Sequence, residues 1–358
     1  MIIKSLNLKN YRNYNKADIE FDSNVNLLVG DNGVGKTNIL EAVHLLSATK
    51  SFRAKFDSDL IKYSMEFALV KAIIASEDPS DTDTDEIQIQ IRRTERSERT
   101  SSKKVQINNV AKSLSKFTHH LKTVLFSPED IDVITGSPSQ RRRYLDLVLF
   151  QIDPKYKKFS SDYIKAVRRR NKILELINET GTGRDQLPYW NSMILELGEY
   201  IQEKRRELVE NFNFFFSSSD NPYSKYSRDL KIEYIKNAID TKRLNQYKER
   251  EIITRTTLIG PHRDDFTMLL NKHDMAQFAS RGEQRTAMFL MKLAEFNYIY
   301  SMLEIKPVLL LDDIFSELDS DHKEAVLSFI NNQQTIITTS STSELPDIHI
   351  SKTIRLPL

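Results

Sequence analysis

Apolar and polar residues alternate over the first thirty positions, which predicts two strands separated by Asn-rich turns. The apolar positions of these strands are Ile3, Leu6, Leu8, Ile19 and Phe21. The apolar run at residues 25–29 then predicts a buried strand, and residues 38–46 carry apolar side chains at helical spacing. The chain therefore begins with a β-rich segment that leads into a strand, a loop and a helix.

Strand patterns recur further along the chain. Residues 67–74 and 87–91 predict a hairpin, and residues 105–110 predict a strand that ends in an Asn-Asn turn. Strand character returns at residues 230–234, and an alternation of strand and helix patterns resumes from residue 258. These patterns indicate an α/β protein with a substantial β-rich part.

The middle of the chain has a different character, with long stretches of helically spaced apolar residues and dense Lys and Arg. These stretches are residues 140–150, 155–178 and 189–216. We predict that they form an inserted, mainly helical domain. The predicted divisions are residues 1–120 and 251–358 for the two parts of the first domain and residues 121–250 for the insertion.

The loop between the buried strand and the first helix matches the pattern G-x-x-x-x-G-K-[ST] in full. Its glycines let consecutive backbone N–H groups face phosphates, and a helix N-terminus favours an anion. Lys36 is predicted to reach the β- and γ-phosphates of a nucleoside triphosphate, and Thr37 to hold Mg²⁺. The predicted nucleotide-binding residues are Gly30, Asp31, Asn32, Gly33, Val34, Gly35, Lys36, Thr37 and Asn38.

The apolar run at residues 308–311 ends in two acids, Asp312 and Asp313, which is the pattern of a Walker B strand. Asp312 is predicted to bind Mg²⁺, and Asp313 to orient or deprotonate the attacking water. With Lys36, these two acids form the predicted catalytic set. The long interval between the phosphate loop and these acids again indicates an inserted domain.

Ser280 and Glu283 have the spacing of a helix capping box at the start of an apolar-striped helix. A capped helix start with Ser and Gly also suits a phosphate. ABC-type ATPases have a signature sequence before the Walker B strand, and that signature binds the nucleotide of a partner subunit. The same place and order are occupied in this chain by Ser280, Gly282 and Gln284. We call residues 280–284 the signature. Residues 316–319 match the D-loop that follows Walker B in that class.

Composition narrows the class of protein. The chain has 358 residues, no cysteine and a net charge of +2, so thiol catalysis, disulfides and Cys-ligated zinc are excluded. The sequence has no apolar run near twenty residues and no signal-peptide pattern, so we expect a soluble, cytoplasmic protein without a membrane partner. The net charge is only +2 although 28% of the residues are charged. A nucleic-acid surface would therefore come from local clusters of basic residues, such as residues 141–143 and 165–172.

Taken together, the motifs resemble the RecF family of bacterial recombination-mediator ATPases, which is related to the SMC family. The resemblance runs in order along nearly the whole chain, through residues 10–14, 30–37, 51–53, 126–130, 136–146, 260–265, 280–284 and 312–319. It implies an ABC-type ATPase head with an inserted helical domain and no long coiled coil. It also implies that Arg12 and Glu129 contact the nucleotide.

The resemblance further implies a function in recombinational repair and replication-fork maintenance. ATP would drive formation of a homodimer on duplex DNA, near single-strand gaps and single-strand/double-strand junctions. Slow, DNA-stimulated hydrolysis would time its release. RecR and RecO would be the partners in loading the recombinase.

Three positions depart from the wider ABC pattern. Asp313 stands where many of these enzymes have Glu, Glu129 stands where a glutamine is usual, and residues 338–340 stand where a switch histidine is common. These departures predict slow hydrolysis and leave nucleotide binding untouched.

The same loop, signature and Walker B strand would also suit the ATPase subunit of a membrane transporter or a chromosome-organising complex. The inserted Arg-rich helices argue against a transporter subunit, and the missing heptad arms argue against a chromosome-organising complex. A nuclease is disfavoured because no additional acidic metal cluster is apparent in the sequence.

Overall fold

The computed structural model describes residues 1–77, 80, 82–94, 97–118, 120–218, 224–316, 323, 326, 327, 330, 333–342 and 345–357. Its chain forms two compact units. Unit 1 comprises Met1–Asp130 and Met291–Leu358, and unit 2 comprises Ile131–Leu290. No helix in the described part of the chain is long and apolar enough to cross a membrane.

The strands are β1 (Ile2–Tyr11), β2 (Tyr14–Glu20), β3 (Val25–Val29), β4 (Phe67–Ala75), β5 (Thr84–Thr94), β6 (Ser97–Ile107), β7 (Val110–Lys112), β8 (Thr123–Phe126), β9 (Leu230–Ile235), β10 (Asp265–Leu270), β11 (His273–Asp274), β12 (Val308–Asp312), β13 (Thr335–Thr339) and β14 (Lys352–Arg355). The helices are α1 (Lys36–Ala48), α2 (Leu114–Phe117), α3 (Asp132–Thr135), α4 (Pro138–Ile152), α5 (Pro154–Thr180), α6 (Leu187–Ser217), α7 (Ser224–Ser227), α8 (Thr241–Thr254), α9 (Met275–Phe278) and α10 (Arg281–Leu303). Short 3-10 turns lie at Asp57–Leu60, Pro128–Ile131, Arg184–Gln186, Pro261–Arg263 and Ile314–Ser316.

A five-stranded parallel sheet in unit 1 has the order β14-β3-β13-β12-β8. Strands β3, β8 and β12 are short, mainly apolar runs, and every residue of β8, β12 and β13 is buried, as expected for a parallel sheet covered on both faces. Leu28, Leu310 and Ile336 are fully buried in its core. Because the strands are parallel, their carboxyl ends meet at one edge, where the segments that follow β3 and β12 lie on either side of the end of β13.

The second sheet of unit 1 is antiparallel, with the order β2-β1-β4-β5-β6-β7. The predicted hairpin is confirmed, because β4 and β5 pair from Phe67 with Arg92 to Ala75 with Thr84. The predicted Asn-Asn turn is also confirmed: Asn108 and Asn109 both have positive φ, which a two-residue hairpin turn requires, and they connect β6 to β7. The β-rich part of the predicted α/β fold is therefore present.

Unit 2 contains the long helices that the sequence predicts and a small sheet of order β11-β10-β9. Helices α5 and α6, of 27 and 31 residues, pack against each other as an antiparallel pair. The insertion predicted from sequence covered residues 121–250, whereas this unit extends from Ile131 to Leu290. Residues 251–290 join it because β10 pairs with β9 and packs against α4.

A buried ionic network holds unit 2 together. The Arg205 guanidinium donates to Asp146 Oδ1 at 2.8 Å, to the Pro261 carbonyl at 2.8 Å and to Asp264 Oδ2 at 3.4 Å. Asp264 also accepts hydrogen bonds from the Gln202 amide and the Asn237 backbone N–H. Burial opposes the charged guanidinium, but the Asp146 carboxylate, together with Tyr156 and Tyr234, outweighs that effect and raises the pKa of Arg205 well above its usual value.

Loss of the Arg205 cation from this network should destabilise the fold. Replacing Arg205 with Met removes the cation and leaves the buried Asp264 without its charge partner, which typically costs about 3–5 kcal/mol. Equilibrium unfolding in urea should show a loss of this size.

The matched control is Arg206→Met, one position along the same helix. Arg206 is half exposed, and its ion pairs among the described residues are with the exposed Glu203 and Glu210. Its replacement should therefore leave the urea midpoint nearly unchanged. Equal losses in the two variants would contradict the structural role of the network.

Candidate nucleotide site

The phosphate loop adopts the conformation that its glycines allow. Gly33 and Gly35 have φ of 83° and 116°, in the region that side chains rarely adopt, and α1 begins directly after the loop at Lys36. A Cβ at Gly35 would lie only 2.7 Å from the Asn13 side chain and 2.8 Å from the Tyr14 hydroxyl. Residues 31–33 are exposed and Val34 is half-buried, so the outer part of the loop is open to solvent.

The Lys36 side chain is buried beneath this loop. Its Nζ donates to the carbonyls of Gly30 at 2.6 Å and Asp31 at 3.1 Å. The ammonium is therefore held at the centre of the loop, where it can compensate the charge of a bound phosphate.

Asp312 connects the phosphate loop to the Walker B strand. Its Oδ1 accepts hydrogen bonds from the Thr37 hydroxyl at 2.9 Å and from the Thr338 hydroxyl at 2.8 Å. The register explains this meeting, because Asp312 pairs with Thr338 and Thr338 pairs with Leu28, two residues before the loop. Burial raises the pKa of Asp312, and the two hydroxyl donors oppose that rise by stabilising the carboxylate.

These oxygen donors suit a hard divalent cation. Mg²⁺ usually binds one or two carboxylates together with hydroxyl, water and phosphate oxygens. Thr37 Oγ1 and Asp312 Oδ1 are such ligands, and they already lie within hydrogen-bond distance of each other. The arrangement therefore fits Mg²⁺ beside a bound triphosphate.

Asp313 has an unusual backbone conformation directly after β12. Its φ is 51°, in the left-handed region, and its backbone N–H donates to Thr338 Oγ1 at 3.0 Å. Asp and Asn are several-fold enriched there among residues other than glycine. This conformation gives a physical reason for an Asp at the position where the ABC pattern often has Glu.

Arg12 lies at the turn between β1 and β2, and its guanidinium makes three hydrogen bonds. It donates to both carboxylate oxygens of Glu41, at 2.7 and 2.6 Å, and to the Asp59 carbonyl at 3.0 Å. Glu41 is completely buried and also accepts a hydrogen bond from the Ser51 hydroxyl. The motif segments around residues 12 and 52 are thus joined through one carboxylate on α1.

A cavity of about 550 Å³ lies beside the phosphate loop. Its lining includes Arg12, Asn13, Asn38, Arg53, Tyr63 and Arg93. The Asn38 amide donates to Asn13 Oδ1 at 2.9 Å, and the Asn13 amide donates to the Val34 carbonyl at 2.8 Å. These contacts support the loop from the β1–β2 turn, and Glu129 lies nearby with its carboxylate 3.7 Å from Arg53.

Several residues of this site were not predicted as ligands. Arg53 and Asn13 stand in motif segments of the sequence, but the motifs by themselves indicate no role for these two side chains. Arg93 and Glu41 gave no sequence signal, because each lies within a regular element whose pattern indicates only a strand or a helix. The sequence indicates of Thr338 only that it stands where a switch histidine is common.

The predicted capping box at the signature is confirmed. The Ser280 backbone N–H and hydroxyl each donate to Glu283 Oε2 at 2.8 Å, and the Glu283 backbone N–H reaches Ser280 Oγ at 3.3 Å. Ser280 and Gly282 are exposed, whereas the buried Gln284 amide donates to the Met275 carbonyl at 2.9 Å. Glu317, Leu318 and Asp319 of the predicted D-loop lie outside the described residues.

The basic clusters divide into structural and exposed residues. Arg141 makes two hydrogen bonds to the Asp265 carboxylate, at 2.6 and 2.8 Å, and Arg142 donates to the Asp264 carbonyl at 2.7 Å. Arg170 is buried and bonded to Glu251 at 2.5 Å. Arg168 and Arg169 are exposed. Arg170 therefore packs inside unit 2, and the exposed charges of residues 168–170 are those of Arg168 and Arg169.

Comparison with known proteins identifies the family. The family model of the RecF/RecN/SMC N-terminal domain matches residues 2–354. The chain is 35% identical over 348 residues to the DNA replication and repair protein RecF of Agathobacter rectalis, covering 96% of this chain and 93% of that protein. It is 33% identical over 357 residues to the protein of the same name from Bacillus cereus, covering 95% and 92%.

A solved structure of the recombination mediator protein RecF with ATP, in the RecFOR pathway, has 32% sequence identity and a TM-score of 0.85. The match covers 99% of this chain and 95% of that one. The α/β fold is accordingly that of a RecF/SMC-like ATPase head. The chain belongs to the RecF family.

Proposed function

We propose that this chain binds ATP and Mg²⁺ in unit 1 and hydrolyses ATP slowly as part of DNA replication and repair. The observation that carries the proposal is the meeting of Thr37, Asp312 and Thr338 beside the buried Lys36 ammonium. The relatives named DNA replication and repair protein RecF, and the solved RecF structure with ATP, support the same assignment.

The residues of the site have separate roles in this proposal. The backbone N–H groups of residues 30–38 bind the phosphates, and Lys36 compensates the β- and γ-phosphate charge. Thr37 and Asp312 hold Mg²⁺, which when bound stabilises the charge that develops on the transferred phosphoryl group. Arg12 and Glu129 border the nucleotide from the β1–β2 turn and from the segment after β8.

Asp313 orients the attacking water and accepts its proton. Its carboxylate is one methylene shorter than a glutamate, so we expect turnover on the order of one per second or less, below the typical enzyme value of about 10 per second. Slow hydrolysis would give the ATP-bound state a long lifetime.

The signature serves a second subunit in this proposal. Ser280 and Gly282 are exposed at the start of α10, where a helix N-terminus favours an anion. They would bind the γ-phosphate held by a partner, so ATP would drive a homodimer on duplex DNA near single-strand gaps and junctions. Gln284 keeps the start of α10 in place through its bond to Met275.

The wider context is a cytoplasmic role in recombinational repair and replication-fork maintenance. DNA would stimulate hydrolysis, and RecR and RecO would be the partners in loading the recombinase. The RecFOR pathway named for the solved RecF structures supports this context.

The first functional prediction concerns Asp313→Asn. Asn tolerates the left-handed backbone at this position, so the fold and ATP affinity should persist while hydrolysis falls by at least about a hundredfold, the usual effect of losing a general base. Single-turnover hydrolysis and equilibrium binding of labelled ATP would measure the two effects separately.

Asp18→Asn is the control, because this exposed carboxylate lies on β2 and pairs with Lys16. It should hydrolyse ATP at the parent rate. If Asp313→Asn also hydrolyses at that rate, another group orients the water; if the parent protein binds no ATP with Mg²⁺, the proposed function itself fails.

The second functional prediction concerns Ser280→Arg. A large cation at the signature should leave ATP binding by the monomer nearly intact and abolish the ATP-dependent dimer, because Ser280 would face the nucleotide of the partner. Sedimentation velocity with and without ATP, and with and without duplex DNA, would report the oligomeric state.

Ser137→Arg is the matched control, since Ser137 and Gln140 form a capping box at the exposed start of α4. The control loses a cap of the same kind and should still form the dimer with ATP. An unchanged ATP-dependent dimer in Ser280→Arg would leave the Ser280–Glu283 pair as a helix cap alone.

A further inference from the structure

One side of α5 carries four cations in a line: Lys158, Lys165, Arg169 and Lys172, which we call the α5 stripe. Their spacings of seven, four and three residues keep them within an arc of about 60°, because each residue turns a helix by about 100°. The stripe runs about 21 Å along the helix at a rise of about 1.5 Å per residue. All four residues are exposed.

The opposite side of the helix determines which way the stripe faces. Tyr156, Tyr163, Ala166 and Leu174 are buried there. Arg170 also points inward, where its guanidinium bonds to Glu251 at 2.5 Å, Asn191 at 2.8 Å and Thr257 at 2.9 Å. This anchoring prevents the helix from turning about its axis, so the stripe faces solvent.

The cations of the stripe make few contacts with other side chains of the described residues. In the described part of the chain, Lys158, Arg169 and Lys172 make no side-chain hydrogen bond or ion pair. Lys165 pairs only with Asp162 at 3.0 Å while remaining 70% exposed, and such a pair contributes little to stability. Asp162 is also the only acid in residues 155–172, which contain eight Lys and Arg residues.

A straight line of exposed cations suits a regular polyanion. Duplex DNA carries one charge per about 1.7 Å of its axis, so a 21 Å line of cations meets several phosphates without reading base sequence. We propose that the α5 stripe binds the phosphate backbone of duplex nucleic acid. This inference rests on the proposed function and assigns its nucleic-acid contact to one helix face.

The test replaces all four residues of the stripe with Gln, which preserves helix propensity. Anisotropy titrations of a labelled duplex, with ATP and from about 50 to 200 mM salt, would compare this variant with the parent chain. Losing four phosphate contacts should make the log-log salt slope shallower by about 3 to 4. The affinity at about 100 mM salt should fall by at least about tenfold.

The control removes the same charge from exposed cations elsewhere in unit 2, by Arg206→Gln, Lys242→Gln, Lys248→Gln and Arg250→Gln. It should keep most of the parent affinity and slope, and its ATP binding and that of the stripe variant should match the parent. Equal losses in both variants would indicate a general effect of net charge and overturn the proposal.

The remaining outcomes separate the inference from the proposed function. If the stripe variant keeps the duplex affinity and salt slope of the parent chain, the inference is overturned, although the chain still binds DNA. A parent chain that binds no duplex with ATP at low salt would overturn both. If the parent chain instead binds vesicles of anionic phospholipid and the stripe variant loses that binding, the stripe belongs to a membrane surface and the duplex assignment is overturned.

Discussion

The arrangement of unit 1 depends on the register of its parallel sheet. Asp312 stands beside Thr338, and Thr338 stands beside Leu28, so the end of β12 lies next to the loop that follows β3. The Asp312 carboxylate then bonds to hydroxyls from both neighbours, Thr37 and Thr338. Slipping one strand by a residue would turn its side chains to the other face of the sheet and separate these groups. The same hydrogen bonds that build the sheet therefore assemble the candidate nucleotide site.

The backbone at Asp313 connects local conformation to the expected rate of hydrolysis. A left-handed residue directly after the strand favours Asp or Asn, and the Thr338 hydroxyl accepts the hydrogen bond of its N–H. In the proposed mechanism, the short acid positions water less effectively than Glu would. The left-handed backbone at residue 313 would thus contribute to a long-lived ATP-bound state.

Many motif residues in unit 2 serve packing. Gly260 has φ of 115°, and a Cβ there would lie 2.3 Å from the Tyr163 hydroxyl. His262 bonds to that hydroxyl at 2.8 Å and to the Thr257 carbonyl at 3.0 Å, and burial lowers its pKa. Arg141 and Arg205 are tied to the carboxylates of the same segment, Asp265 and Asp264. These motif residues therefore hold unit 2 together through hydrogen bonds and ion pairs.

By itself the sequence determined the phosphate loop, the Walker B strand, the capping box and most strands and helices, because each depends on residues close together in the chain. The tertiary structure alone decided which charged side chains are buried. Consecutive arginines such as Arg169 and Arg170 look alike in sequence, yet a turn of about 100° between them sends one to solvent and the other to Glu251. The Arg12–Glu41 pair, the packing of residues 251–290 with unit 2 and the contact of Thr338 with Asp312 also join distant segments. Only the folded chain brings those partners within hydrogen-bond distance.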